Sequence, residues 1–121
     1  MDLVNDIQNL MQELTTSIKL LRKNGNDLAN AERDYKVCLR QEALKLRNEE
    51  NTPVTLINQI IYGIPAVAEK RFKRDVASTM YNTNLEHINV TKLKLRLLEA
   101  QLNREYGSSG KGDLWNIKNL A

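Results

Sequence analysis

Few side chains in this sequence are of a type that could do chemistry. His87 is the single histidine, set between Glu86 and Ile88, and no serine or cysteine motif supplies a nucleophile for it to activate. It reads as a polar residue on a helix surface. Cys38 is the single cysteine; beside Leu39 on a helix it reads as a small buried thiol rather than a reactive thiolate. A lone cysteine cannot close an internal disulfide, which suits a reducing cytoplasm. There is no Cys-x-x-Cys and no His-Glu-x-x-His. The two glycine-bearing spots, around Gly25 and over residues 107–112, lack the strand that a phosphate-binding loop requires. These residues predict no enzyme, no metal and no cofactor.

The remaining chemical candidate is a basic cluster, Lys70, Arg71, Lys73 and Arg74 around Phe72. With Lys92, Lys94, Arg96 and Arg104 it could form a stripe for a phosphate backbone or a small anion. Glu69, Asp75, Glu86, Glu99 and Glu105 interrupt that stripe, and such mixing usually gives a solvated helix surface. No nucleic-acid motif accompanies it, and aromatic residues for base stacking are few. Eighteen Lys and Arg against fifteen Asp and Glu leave only +3, too small an excess to argue for nucleic acid by itself.

The elements that carry these residues read as helices. With 121 residues, two prolines and five glycines, the chain has the length of one domain and the composition of a helix-rich protein. No apolar run approaches the roughly 18 residues needed to span a bilayer, and the opening Met1-Asp2-Leu3-Val4-Asn5-Asp6 is no signal peptide. The expectation is a soluble protein of the cytoplasm with no membrane partner. The spacing predicts helices over 2–47, 54–62 and 65–106, together a domain of residues 1–106.

In the first helix, heptad position a set at Val4 gathers Met11, Ile18, Gly25, Glu32, Leu39 and Leu46. Position d then holds Ile7, Leu14, Leu21, Leu28, Tyr35 and Glu42. Ten of these thirteen are apolar, and the frame is the same on both sides of Gly25, so the helix is expected to run through the glycine. Asn48 to Pro53 should end it, because the residue before a proline is pushed out of helical geometry. Val54 to Tyr62 should follow as a short helix capped by Thr52 or Thr55, closed by Gly63, with Pro65 in the first turn of the next helix.

The last helix contains a run, Ala66 to Tyr106, without glycine or proline. Tyr81, Ile88, Leu95 and Leu102 form one stripe, with Leu85 and Tyr106 beside it; Phe72, Val76, Val90, Leu93 and Leu97 project from roughly the opposite side. One partner helix covers one face. The fold class predicted is therefore all-α: a long antiparallel, coiled-coil-like helical hairpin with a short connecting helix at its tip, self-associating through the second face. The hairpin seam should hold Glu42, Lys70, Arg74, Tyr81, Ile88, Leu95 and Leu102. Partner positions across it should sum to about 113 to 116 for a short connection. That register predicts an ion pair of Glu42 with Arg74 or Lys70, and brings Gly25 beside His87 and Ile88.

Residues 107–121 read as a flexible linker and a short apolar tail with Leu114, Trp115, Ile117 and Leu120. Trp115, the only tryptophan, is the type favoured as an interface anchor. Partner or anion contacts are assigned to Lys70, Arg71, Lys73, Arg74 and Trp115.

Three strings, Leu20-Leu21-Arg22-Lys23-Asn24-Gly25-Asn26-Asp27-Leu28-Ala29, Arg71-Phe72-Lys73-Arg74-Asp75-Val76-Ala77 and Leu97-Leu98-Glu99-Ala100-Gln101-Leu102, give the chain a likeness over roughly residues 10–106. It resembles small, largely uncharacterised helical proteins of phages and prophages of Gram-positive bacteria. The resemblance implies a setting, the bacterial cytoplasm during infection or lysogeny, and brings no site residues with it. The function expected is that of a non-enzymatic homo-oligomer that binds and modulates a host or phage protein, such as a defence or replication factor. The alternatives are a nucleic-acid-binding accessory of phage replication or recombination, and a sponge for a small anionic nucleotide signal.

Overall fold

The computed structural model describes residues 2–107. In it the chain forms three α-helices: α1 over Leu3–Asn48, α2 over Val54–Ile60 and α3 over Pro65–Tyr106; a 3-10 turn, Ile61–Gly63, extends α2. There is no strand among the described residues, and the two long helices pack on one another, so the fold is an all-α helix pair.

Local chemistry accounts for the ends. Asp2 caps α1: its carboxylate accepts the Asn5 backbone N–H at 3.1 Å. Gly25 lies inside α1 with no positive φ, so the helix runs through it as expected. Asn51 turns the chain at φ 54°, a left-handed conformation asparagine tolerates better than most residues, and the Thr52 N–H donates to the Leu46 carbonyl at 2.9 Å. The residue at the start of α2 is Pro53, which provides no side-chain cap, rather than the threonine cap expected at 52 or 55. Pro65 opens α3, where its missing N–H would have had no helical partner anyway.

The contacts divide the chain into two compact units. One comprises residues 20–84, the other residues 1–19 and 85–121, of which 2–19 and 85–107 are described. In the unit of residues 20–84, Tyr35 and Leu46 of α1, Ile57 of α2, Ile61 of the 3-10 turn and Val67 of α3 make one buried cluster; Val67 is fully buried. Cys38, Leu39, Ala43 and Ile64 pack against it. The last turns of α1 are thus covered by α2 and the 3-10 turn as well as by α3. Farther along, Asn24 and Asn84 are both buried, and the Asn24 amide donates to the Asn84 carbonyl oxygen at 3.1 Å. In the unit of residues 2–19 and 85–107, Leu3, Ser17, Ile88 and Thr91 are buried. The Thr91 hydroxyl donates to the His87 carbonyl at 2.8 Å, satisfying a polar group that is almost wholly out of water.

The packed row of α1 differs by one position from the expected one. Ile7, Leu14, Leu21, Leu28, Tyr35 and Glu42 do turn inward, but the neighbouring row is Leu3, Leu10, Ser17, Asn24, Ala31 and Cys38. Val4, Met11 and Ile18 are exposed instead, at 56%, 56% and 50%. The register differs too. Gly25 faces Tyr81, whose ring lies 3.4 Å from where a Cβ would stand, not His87 and Ile88. The shift is about one heptad, because the end of α1 extends past the start of α3 and is covered by Ile57 and Ile61.

Candidate interaction surfaces

The residues assigned to a self-association face are all exposed. In the unit of residues 20–84, Phe72 is 66% exposed, and Val76 and Met80 continue the same row of α3 at four-residue intervals. They line an open groove of about 300 Å³ whose other wall is Lys23, Asn24 and Asp27 of α1. Lys23 and Asp27 pair at 3.0 Å, so that wall is charged but balanced. In the other unit, Val90, Leu93 and Leu97 are exposed on α3, Leu97 at 61%. The sequence missed a further surface, the row Val4, Met11 and Ile18 on α1. The signal is their seven-residue spacing, which the sequence alone places at heptad position a of the packed face.

The residues assigned to the seam behave unevenly. Ile88 is buried, and Tyr81, Leu95 and Leu102 are half-buried, as the stripe requires. Lys70 and Arg74 are half-buried, but the ion pair expected of them with Glu42 does not form. Glu42 pairs with Lys45 on its own helix at 3.5 Å, and Arg74 pairs with Asp75 at 2.9 Å. The register explains this: Tyr35, one heptad before Glu42, is the α1 residue that meets Arg74, with the guanidinium carbon 4.8 Å from the ring centroid.

The basic cluster is partly neutralised. Lys73 pairs with Glu69 at 3.5 Å, Arg74 is held by Asp75 and Tyr35, and Arg71 lies over the Tyr62 ring at 5.3 Å. A phosphate would have to compete with carboxylates already in place. His87, exposed as expected, donates from Nε2 to the Glu13 carboxylate at 3.0 Å. Cys38 is a free, half-buried thiol against the apolar cluster. Among the described residues no group of His, Cys, Asp and Glu is placed to hold a metal, and no helix is long and apolar enough to cross a membrane. Trp115 and the rest of the tail lie outside the described residues. No family model, no curated protein and no solved structure matches the chain.

Proposed function

We propose that this chain is a non-enzymatic interaction protein of the phage type, which self-associates through α3 and binds and modulates a host or phage protein in the bacterial cytoplasm. The observation that supports it is the exposure of Phe72, Val76, Val90, Leu93 and Leu97 on one long helix. Fully burying a side chain such as Phe or Leu is worth about 1.5–3 kcal/mol, so several exposed together on one element favour association. The ion pairs within the basic cluster make a nucleic-acid or nucleotide-sponge role the weaker reading.

The test is the mass in solution. The native chain should sediment or scatter light as a multiple of its 13.9 kDa, and Phe72→Glu combined with Leu97→Glu should return it to the monomer with its helix content intact. A native chain that is monomeric at every concentration removes self-association from the proposal. Binding of short random DNA that persists at moderate salt would favour the nucleic-acid alternative.

A further inference from the structure

The exposed row on α1 has a covered counterpart on the same helix. Continued at seven-residue intervals, Val4, Met11 and Ile18 lead through Gly25 and Glu32 to Leu39 and Leu46. At that far end a third helical element covers the row: Leu46 is buried against Ile57 and Ile61, and Leu39 packs on the same cluster. At the near end nothing among the described residues covers it, although three of three side chains are apolar.

The pattern is informative because the row flanks the seam. With Leu3, Leu10 and Ser17 as d and Ile7, Leu14 and Leu21 as a, Val4, Met11 and Ile18 take position e. A helix apolar at a and d alone suits a two-helix seam. Apolar residues at e as well give the wider face of a helix that touches two neighbours. The residues beyond the row, Gln8, Gln12 and Thr15, are uncharged, so an apolar segment laid there would bury no unpaired charge.

The chain itself has such a segment in the right place. Residues 108–121 continue directly from α3 and contain Leu114, Trp115, Ile117 and Leu120, with Asp113 and Lys118 as the only charges from 113 to 120. In the unit of residues 2–19 and 85–107, Glu13 of α1 meets His87 of α3, so the antiparallel helices bring the end of α3 to the start of α1. Gly107 then lies within roughly 15 Å of the start of α1 at 1.5 Å per residue. Residues 107–112 can span about 20 Å when extended, enough to bring Leu114 back to Val4.

We propose that the segment Leu114–Leu120 docks on the Val4–Met11–Ile18 row of its own chain, as α2 and the 3-10 turn do on Leu39 and Leu46. This does not depend on self-association through α3. Because Trp115 is the only tryptophan, its fluorescence reports the docking directly. In the native full chain its emission should be blue-shifted and its quenching by acrylamide weaker than in the urea-unfolded chain, at all concentrations. Met11→Glu with Ile18→Glu should raise the quenching to the unfolded level while the far-ultraviolet circular dichroism stays helical. Phe72→Glu with Leu97→Glu should leave it unchanged. If the Glu pair loses its helix signal, Met11→Gln with Ile18→Gln is read in its place. Native quenching equal to that of the unfolded chain overturns the proposal, as does protection indifferent to the α1 variants. Protection that disappears on dilution together with the oligomer overturns it in favour of a second copy as the occupant.

Discussion

The two units treat the same pair of helices differently. Residues 20–84 bury an apolar cluster drawn from four elements, with Val67 fully out of water and Tyr35, Leu46, Ile57 and Ile61 around it. The unit of residues 2–19 and 85–107 has two elements, and two of its four buried residues, Ser17 and Thr91, carry hydroxyls. Two helices alone enclose a narrow strip, so small polar side chains that find a hydrogen bond can occupy it. A third element is what turns a strip into a core. Among the described residues, stability should therefore be concentrated in residues 20–84.

The largest test of that contrast is Leu46→Ala, which empties a site enclosed on several sides. It should cost about 2–4 kcal/mol by urea denaturation, as deletions in cores that cannot collapse do. A loss below about 1 kcal/mol would mean that α2 and the 3-10 turn simply follow the substitution inward. A smaller effect is expected at the amide pair. Asn84→Ala should cost about 1–3 kcal/mol, because the Asn24 amide is left buried without this acceptor. The smallest effect has the opposite sign. Gly25→Ala should stabilise by about 1 kcal/mol, because the new methyl meets the Tyr81 ring at an ordinary 3.4 Å and glycine is a poor helix former. Loss of stability there would show that the ring cannot give way.

Much of the fold was legible because helices declare their period. The inward row from Ile7 to Tyr35, the helix continuous through Gly25, the break before Pro53 and the start at Pro65 all follow from local chemistry. The second inward row was not legible, and the reason is specific. Its members include Ser17 and Asn24, so hydrophobicity alone prefers the adjacent row with Met11 and Ile18. Nothing in one helix reveals that Asn24 will meet Asn84 sixty residues later. The register failed for a related reason: loop length limits how far two helices are offset, but whether the end of α1 overhangs depends on where Ile57 and Ile61 find cover. Glu42 was then matched with the wrong cations. The exposed face of α3 was legible because Phe72 and Leu97 lie opposite an unambiguous stripe.

The ion pairs among the described residues have a consequence of their own. Lys23–Asp27, Arg33–Asp34, Lys45–Glu42, Lys73–Glu69 and Arg74–Asp75 each join neighbours on one helix, while α1 and α3 meet through the hydrogen bond of His87 to Glu13 and the Arg74 guanidinium on the Tyr35 ring. Charge therefore does little to select which helix pairs with which. Dissolved electrolyte finds almost nothing to screen where the two long helices meet, and they should stay together in brine much as they do in dilute buffer.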